Sequence, residues 1–308
     1  LLMGRPINDI DIMIVGEGIP FAKKLAVKLG KKKVIPFKKF GTALIPNNDL
    51  QIEVATARKE AYEDDSRKPS KVIYTDLKGD LLRRDFTINA MAMDIHPSRF
   101  GDLTDPFGGI ADIENKILRT PLDPDETFSE DPLRMMRAAY FASKLGFQIE
   151  QRCRNSIKDQ AYRIEIVSME RIRDEFIKIL NTKKPSIGLV ILQKTGLMKI
   201  VFPEIHVMYG MDQTSEWHHK DIFAHTLQVV DNSAQLSDKM EIRFSALVHD
   251  IAKPNTRRVD KNKGYTFHGH DAVGERMIET VAKRMKLSNE LKDYLKKLTL
   301  LHLRPIAL

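Results

Sequence analysis

The stretch GRPINDIDIMIVG, residues 4–16, places two acidic residues, Asp9 and Asp11, at the front of an apolar run. This run predicts a β-strand over residues 10–15. Alternate residues of a strand project from the same side, so the two carboxylates face one way, about 7 Å apart, and the intervening isoleucines face a core. Unpaired carboxylates are costly to desolvate, and a pair at this spacing suits a hard divalent cation such as Mg²⁺. The alternative is a strand cap in which Asp11 is merely solvated.

The composition is that of a globular protein with a basic surface. The 308 residues are enough for two or three domains, and they are 42% hydrophobic and 30% charged. No apolar run approaches the roughly 20 residues that span a membrane, so we expect no membrane partner. The single cysteine, Cys153, excludes an internal disulfide framework and fits a cytoplasmic location. A formal net charge of +8 favours a polyanionic partner.

The first hundred residues read as mixed α and β. The predicted elements are a helix over residues 21–30, strands over 42–46 and 50–57, and a mobile loop over 60–72. Alternation in the later strand places Ile52 and Val54 on one face and Glu53 on the other. Glu53 is therefore a candidate third carboxylate of the acidic cluster, with a plain exposed residue as the alternative. From about residue 128 almost every segment has helical periodicity, which predicts a long helical body.

Two later segments combine arginine with aspartate. In RRDFTINAMAMD, residues 83–94, Arg83 and Arg84 precede Asp85. Guanidinium groups bind phosphate oxygens in a forked geometry, so this charged group suits a triphosphate or a ribose. The alternative is a surface ion-pair cluster at the start of a helix.

The second segment, SEDPLRMMRAAYFASKLGF at residues 129–147, predicts a helix with Asp131 and Arg134 on one face. A carboxylate beside a guanidinium offers both acceptors and donors, which is what reading the edge of a nucleobase requires. The alternative is that Asp131, which precedes Pro132, is an ordinary helix N-cap.

Several histidines cluster late in the chain. His225 lies in HHKDIFAHTLQVVD, His249 and Asp250 form the HD pair of ALVHDIAKP, and His270 closes FHGH. Imidazole with carboxylate is a normal ligand set for a divalent transition metal, and Ni²⁺ suits it better than Mg²⁺ does. This arrangement resembles the HD metal-dependent phosphohydrolase domain, whose usual last ligand, an aspartate, cannot be placed in the sequence, which stops soon after His302. The alternative is an HD fold that has lost its metal.

The motifs, taken in order, resemble the class II tRNA nucleotidyltransferases, which are the CCA-adding enzymes and bacterial poly(A) polymerases. The similarity covers about residues 1–205. The matching segments are LLMGRPINDIDIMIVG, IEVATARKEAY, DLLRRDFTINAMAMD, DPFGGIADIENKILRT, EDPLRMMRAAYFASKLGF and SMERIRDEFIKIL. A glycine pair followed by arginine and aspartate normally precedes the first motif in that family, so we expect a missing N-terminal segment. The abrupt apolar end, LHLRPIAL, predicts a truncation there as well.

The resemblance implies a role for each matching residue. Asp9 and Asp11 would be the catalytic carboxylates that bind Mg²⁺, and Glu53 takes the place of the family's acidic strand residue. The implied nucleotide-binding residues are Arg83, Arg84, Asp85 and Asn89 at the sugar and phosphates, Asp131 and Arg134 at the incoming base, and Arg137 at a phosphate. In the HD module, the candidate metal ligands are His225, His249, Asp250 and His270.

The implied fold is α+β, with a small nucleotidyltransferase head built on a polymerase-β-like mixed sheet. The head would cover residues 1–120, a helical neck that binds RNA and the nucleotide base residues 121–205, and a helical HD-type domain residues 206–308. The leading functional hypothesis is the template-independent addition of C and A to the 3′ end of tRNA from CTP and ATP by two-metal phosphoryl transfer.

Three alternatives remain at the level of the sequence. Poly(A) polymerases usually carry a basic, phenylalanine-containing signature where this chain has FKKFGTALIPNNDL, and the signature is absent. Enzymes that add only CC or only A share the scaffold, and their difference lies partly near residues 60–72. The alternative from another class is an RNA-binding HD phosphohydrolase with an inactive polymerase head.

Overall fold

The structure is a computed structural model. It describes residues 2–4, 6–7, 9–38, 41–47, 50–63, 66–212, 221–261 and 264–304, with the backbone alone over 59–63 and 66–74. The chain forms two compact units, Leu1–Glu130 and Asp131–Leu308. The predicted neck from Asp131 onward and the predicted HD module therefore share the second unit. No helix in the described part of the chain is long and apolar enough to cross a membrane.

The first unit, which we call the head, contains short strands and helices. The strands are β1 (Asp9–Ile14), β2 (Ile35–Phe37), β3 (Thr42–Ile45), β4 (Gln51–Thr56), β5 (Arg58–Glu63), β6 (Ser66–Tyr74), β7 (Ala92–Met93), β8 (Leu103–Thr104) and β9 (Ile117–Leu118). The helices are α1 (Gly18–Lys28), α2 (Leu77–Leu82), α3 (Gly109–Asn115) and α4 (Pro124–Glu130).

The main sheet of the head has the order β1-β4-β3-β2, and β1 runs parallel to β4 while the other pairs are antiparallel. This confirms the predicted mixed sheet. Helix α1 packs on β3 and β4 and covers the buried face, where Ile52 and Val54 lie with alanines of the helix. Ile12 and Ile14 join this core, as expected, but Ile10 is 40% exposed. Ile10 lies at the start of an edge strand, which has a neighbouring strand on one side alone.

The prediction of a loop over residues 60–72 is wrong. The backbone there belongs to β5 and β6, which pair antiparallel as a two-stranded ribbon. Polar residues and Pro69 suggested a loop, but backbone hydrogen bonds can form a ribbon without an apolar pattern, and proline is tolerated on an edge strand.

Several helices begin at a side chain that caps the first free N–H groups. Asp76 Oδ1 accepts a hydrogen bond from Gly79 N at 2.8 Å at the start of α2. Asp221 and Ser288 cap the two helices that follow them in the same way. Such oxygens satisfy donors that have no partner inside the helix, so these residues fix where each helix starts.

The second unit is helical. Its helices are α5 (Leu133–Leu145), α6 (Gln151–Gln160), α7 (Met169–Leu180), α8 (Pro185–Lys194), α9 (Leu197–Val201), α10 (Pro203–His206), α11 (Ile222–Leu236), α12 (Met240–Val248), α13 (Lys253–Thr256), α14 (His270–Met285) and α15 (Asn289–Leu301). Its short strands are β10 (Gln148–Ile149), β11 (Arg258–Asp260) and β12 (Gly264–Thr266).

The predicted neck and HD segments share one core. Phe176 of α7, Phe202 and Phe244 of α12 are fully buried and pack with ring centroids 5.6 to 6.3 Å apart. The buried guanidinium of Arg243 donates to the carbonyls of Leu180 and Thr182, each at 3.0 Å. These contacts tie α12 to the end of α7, so the helices of the second unit support one another.

Candidate active site and metal centre

Three acidic side chains lie on one face of the head sheet. The parallel register sets Asp11 opposite Glu53 and Asp9 opposite Gln51. Because alternate residues share a face, Asp9, Asp11 and Glu53 all project away from the buried Ile52. The structure therefore places the three side chains on one face, although their carboxylates do not form a group within 4.8 Å among the described residues.

The carboxyl group of Asp11 is partly desolvated and lies near a second acidic side chain. Partial desolvation raises the pKa of Asp11, the charge of Asp9 raises it further, and Arg84 lowers it by less. A divalent cation would supply positive charge here. Mg²⁺ is commonly held by one or two carboxylates together with water and substrate phosphates, so the oxygen donors present here fit such an ion.

A buried aspartate that the sequence reasoning missed organises the two arginines. Asp80 is 1% exposed and lies in α2. Its Oδ1 accepts from Arg83 Nη2 at 2.8 Å and Nε at 3.1 Å, and its Oδ2 accepts from Arg84 Nη2 at 3.0 Å and Nε at 3.3 Å. Arg83 Nε also donates to the Arg58 carbonyl at 2.9 Å. The helical spacing of three and four residues was the available signal for this pairing.

The charge of Asp80 is stabilised despite its burial. Burial raises the pKa of Asp80, but the charges and hydrogen bonds of Arg83 and Arg84 outweigh this effect, so the net pKa lies below the ordinary value. The two guanidinium groups are thus held side by side by one carboxylate. Their side chains remain 22% and 33% exposed, which leaves them accessible to an anion.

Asp85 and Asn89 are brought together directly after this pair. Asp85 is buried, and its Oδ1 accepts from Phe86 N at 2.9 Å and from Asn89 Nδ2 at 3.1 Å. The bonds span a single 3₁₀ turn at Thr87–Asn89. Both side chains are therefore fixed relative to Arg84 by local backbone structure.

In the second unit, Asp131 has a capping contact. Its Oδ1 accepts from Leu133 N at 3.2 Å, and its Oδ2 lies 3.8 Å from Arg171 Nη2. The helix-start alternative thus has a physical basis, while the second oxygen faces a guanidinium. Arg134 is 7% exposed on α5, one turn from Asp131.

Helix α7 supplies further charges beside α5. Arg137 Nη1 lies 3.9 Å from Glu175 Oε1, and the Arg137 guanidinium lies 5.2 Å from the Phe141 ring. Glu175 is 4% exposed and also accepts from Lys178 Nζ at 2.7 Å. No local pattern predicts roles for Arg171 and Glu175, because the pairing of α5 with α7 is a tertiary contact.

The histidines of the second unit converge on Asp250, which is 2% exposed. Its Oδ2 lies 3.6 Å from His225 Nε2 and 3.0 Å from His249 Nε2. Its Oδ1 lies 3.2 Å from His270 Nε2 and 3.6 Å from His302 Nε2. The structure therefore brings together all four predicted ligands. It adds His302, directly after α15, whose Nε2 lies in the same cluster.

Three of the imidazoles are oriented by the backbone. Their Nδ1 atoms lie 2.6 to 2.8 Å from the carbonyl oxygen three residues earlier, in the pairs His249–Ala246, His270–Phe267 and His302–Thr299. A ring that donates from Nδ1 presents the lone pair of Nε2, which is the form that binds metal. This donor set, with one buried carboxylate, fits a divalent transition metal.

The charge of the cluster is balanced around Asp250. Burial raises the pKa of Asp250, but His249 and the hydrogen bonds of His249, His270 and His302 outweigh it and hold the pKa well below the ordinary value. Burial lowers the pKa of His302, yet its contacts with Asp250 and the Thr299 carbonyl leave that pKa raised. Lys253 Nζ also lies 2.8 Å from Asp250 Oδ2.

A cavity of about 590 Å³ opens beside this cluster. Apart from the cluster itself, its lining is mostly apolar. Lining side chains include Val229, Ile242, Ala246, Leu298 and Leu301. The cavity can therefore hold the apolar body of a small molecule whose polar end meets Asp250 and Lys253.

Comparison with known proteins finds three regions of similarity. Residues 1–119 match the family model described as "Poly A polymerase head domain". Residues 146–209 match "Probable RNA and SrmB- binding site of polymerase A", and residues 222–307 match "HD domain". The predicted resemblance and the predicted HD domain are confirmed.

Similar proteins are found among curated sequences and solved structures. The "Multifunctional CCA protein" of Shewanella frigidimarina (strain NCIMB 400) is 36% identical over 299 residues, which is 95% of this chain and 68% of that protein. The chain spans 68% of the length of that protein, and 52% of the length of the "Multifunctional CCA protein" of Vibrio campbellii (strain ATCC BAA-1116), to which it is 38% identical over 223 residues.

Two solved structures are 25% identical to the chain and cover 99% of it. "Structure of tRNA-processing enzyme with CTP" has a TM-score of 0.68, and the match covers 74% of that protein's chain. "Crystal structure of tRNA nucleotidyltransferase complexed with a primer tRNA and an incoming ATP analog" has a TM-score of 0.65, and the match covers 93% of that protein's chain.

Proposed function

Because the chain belongs to the family of the multifunctional CCA proteins, the CCA-adding tRNA nucleotidyltransferases, we propose that it adds C and A to the 3′ end of tRNA from CTP and ATP. The observation that carries the proposal is the acidic face of the head, where Asp9 and Asp11 on β1 stand in register with β4 and its Glu53. Nucleotidyl transfer needs carboxylates that hold a divalent cation, and a strand places them rigidly.

Asp9 and Asp11 are the proposed ligands of this cation, and Mg²⁺ is the proposed ion. The raised pKa of Asp11 agrees with the assignment, because partial desolvation and the charge of Asp9 disfavour its ionised form, which a bound cation would favour. When bound, such an ion favours deprotonation of a primer 3′-hydroxyl and neutralises charge on the triphosphate. Glu53 adds negative charge beside the pair. The protein's own contribution is to hold these oxygens on one rigid face.

The remaining head residues are assigned to the nucleotide's phosphates and sugar. Arg83 and Arg84 present two guanidinium groups, fixed by Asp80, to the triphosphate. Asp85 and Asn89, joined by a hydrogen bond, are placed at the ribose. Guanidinium groups that are oriented before binding lose less side-chain entropy when they grip an anion.

The second unit is assigned to the base and to RNA. Asp131 and Arg134 would pair with the base edge of CTP or ATP, and Arg137 would contact a phosphate. The acceptor and donor both lie at the start of α5, which supports this role, and the capping bond of Asp131 holds its carboxylate in place. We propose that the basic chain binds the acceptor arm of tRNA, through phosphate contacts, in the cytoplasm.

The HD cluster favours a second candidate function, a metal-dependent phosphohydrolase. The observation behind it is the convergence of imidazole Nε2 atoms on the buried Asp250 beside a cavity. His225, His249, Asp250 and His270, with His302, would hold Ni²⁺ or a similar ion. When bound, this metal would activate water for attack on a phosphate ester. Its test is hydrolysis of a phosphate ester by the chain with Ni²⁺, compared with the Asp250→Asn variant.

The decisive experiment for nucleotide addition uses tRNA that lacks its CCA end, with labelled CTP and ATP given separately and together. If the chain adds CCA, A is incorporated only when CTP is also present, because the two C residues must be added first. Long A tracts from ATP alone would indicate a poly(A) polymerase, and incorporation of C without A when both nucleotides are present a CC-only enzyme. Incorporation of A into a tRNA that ends in CC, without incorporation into the shorter tRNA, would indicate an A-only enzyme. Absence of any incorporation, with phosphate-ester hydrolysis intact, would favour an HD protein with an inactive head.

A further inference from the structure

One segment of the head carries the whole net charge of the chain. Between Gly18 and Asn48 there are eight lysines and no arginine, aspartate or glutamate. Outside this segment, the remaining 42 lysines and arginines equal the 42 acidic residues in number. The formal net charge of +8 is therefore a local property of this segment and not of the chain as a whole.

Most of these lysines lie on helix α1 or directly after it. Ala22 and Ala26 of α1 are buried against the sheet. Because each residue turns the helix by about 100°, Lys24 and Lys28 lie on the side opposite these alanines. Lys39 lies outside the described residues. The lysines that the structure describes, which we call the lysine surface, are the half-buried Lys31 and the exposed Lys23, Lys24, Lys28, Lys32, Lys33 and Lys38.

The lysine surface has no counter-charge from the protein. Within the described part of the chain, none of its lysines forms an ion pair with a carboxylate. Lys24 and Lys28 are like charges one helical turn apart, an arrangement that destabilises a helix. Lysines beside β2 protect a sheet edge, and the dipole of α1 favours a cation at Lys28. Neither effect accounts for Lys23 and Lys24, earlier in the helix.

The lysine surface and the acidic face lie on opposite sides of the head sheet. Helix α1 packs on β3 and β4 over the face that buries Ile52 and Val54. Asp11 and Glu53 project from the other face. A nucleotide bound at the acidic face is therefore separated from the outer side of α1 by the sheet and the helix. The lysine surface needs a different anion, or a distant part of a long one.

We propose that the lysine surface binds the phosphate backbone of RNA at a place separate from the nucleotide site. An ammonium group is a point charge with no fixed contact geometry, which suits a chain of repeated phosphates better than one anion of fixed shape. Helix α1 alone is about 16 Å long, enough to follow several phosphates. The inference goes beyond nucleotide addition, because such binding needs no catalysis and no particular base sequence.

An anionic membrane is the competing partner for a basic helix, and α1 lacks the apolar face that it requires. An interfacial helix buries a broad apolar side among the lipids. The apolar side of α1 already packs in the core of the head. In α1, which the structure describes completely, Val27 is the only large apolar side chain that is exposed. The charge is therefore left to a partner that offers phosphates without an apolar interior.

The test removes four charges from the lysine surface of the full chain. Lys23→Gln, Lys24→Gln, Lys32→Gln and Lys33→Gln are combined in one variant, which keeps Lys28 at the end of the helix. The matched control makes the same change of net charge at four exposed lysines of the second unit. These control positions are Lys239, Lys261, Lys283 and Lys297.

Fluorescence anisotropy measures the Kd of each chain for tRNA that lacks its CCA end and for a short unrelated RNA duplex, between about 50 and 200 mM salt. Each phosphate contact contributes about 0.7–0.9 to the slope of log K against log salt. In the head variant we expect a slope shallower by about 2–3 and, at the lowest salt, a Kd at least about tenfold higher for both RNAs. The control keeps the parent slope. In both variants Tm and the KM for CTP at saturating tRNA stay at the parent values.

Equal slopes and equal Kd values in the head variant and the control overturn the lysine surface, as does a parent chain that binds neither RNA. Binding to vesicles of anionic lipid that the head variant loses, with RNA binding unchanged, assigns the surface to membranes and overturns the proposal. If the parent chain incorporates no nucleotide but its RNA binding depends on these four lysines, nucleotide addition fails and the lysine surface stands. The two failures are therefore distinguishable.

Discussion

Replacing Asp80 by asparagine tests whether a residue remote from the reacting atoms prepares the nucleotide site. The carboxylate holds Arg83 through Oδ1 and Arg84 through Oδ2, with each guanidinium donating two hydrogen bonds. Asparagine has nearly the same shape but keeps a single acceptor oxygen and no charge. We therefore expect Asp80→Asn to release one arginine and to weaken the hold on the other.

The expected magnitudes follow from these contacts. A hydrogen bond to a charged group contributes about 1.5–3 kcal/mol, and the partial exposure of both arginines, 22% and 33%, puts the loss near the lower end. The free energy of unfolding should fall by about 2 kcal/mol, with a Tm lower by roughly 4–8 °C. An arginine carries about 2 kcal/mol of rotamer entropy, and nucleotide binding would recover only part of it from the one that is released. We therefore expect a loss of about 1.4 kcal/mol of nucleotide binding, or tenfold in KM.

The assay is steady-state incorporation of CTP and ATP into tRNA, with KM and kcat determined separately. KM should rise about tenfold while kcat changes by less than threefold, because the acidic face is untouched. Asp76→Ala is the matched control: it removes the cap of α2, worth about 1 kcal/mol, and leaves the Asp80 pairs in place. An unchanged KM in Asp80→Asn, or an equal rise in Asp76→Ala, would refute the positioning role.

The same residue gives a pH signature. The pKa of Asp80 is raised by burial but lowered by more by Arg83 and Arg84, so it is lower in the folded than in the unfolded protein. Its stabilisation is complete above the unfolded pKa of about 3.9 and is lost as the pH falls through the folded value. The difference in unfolding free energy between the parent chain and Asp80→Asn should be constant from pH 7 to pH 5 and shrink below pH 4. Urea titrations across this range measure it.

The remaining predictions concern the other assigned residues. Asp9→Ala or Asp11→Ala should abolish nucleotide transfer while tRNA binding and Tm stay within error, and activity within a few-fold of the parent chain would contradict the metal assignment. Arg134→Ala should blur the choice among CTP, ATP, UTP and GTP, since an unpaired buried group costs roughly 1–3 kcal/mol. If Asp131 is a cap alone, Asp131→Ala lowers Tm with selectivity unchanged. Affinity for tRNA should fall steeply with salt, and a flat dependence would exclude phosphate-driven binding.

Local sequence patterns were sufficient for much of the head. The period of two in a strand placed Asp9 and Asp11 on one side and Glu53 on the polar face of its own strand. The parallel register of β1 with β4 then set Asp11 opposite Glu53, which no local pattern specifies. The alternation of buried and exposed side chains breaks down at strand ends. Ile10 is therefore exposed, although its place in the alternation predicted burial.

Local sequence patterns gave a wrong secondary structure where the polarity of the side chains is unrelated to the hydrogen bonding of the backbone. The ribbon of β5 and β6 forms through main-chain hydrogen bonds, which the polar sequence of residues 60–72 did not reveal. The capping alternative for Asp131 was visible in the sequence, because a cap depends on neighbours within three residues. Its second contact, with Arg171, depends on the packing of α7 beside α5.

By itself, the sequence determined the class of the protein, the strand and helix faces of its acidic and basic residues, and most of the side chains that meet at Asp250. Tertiary structure alone decided that Asp80 holds both arginines and that His302 reaches Asp250 from the end of α15. Periodicity fixes the direction of a side chain relative to its own element. A site assembled from several elements depends on how those elements pack, and packing is set by buried contacts between residues far apart in the chain.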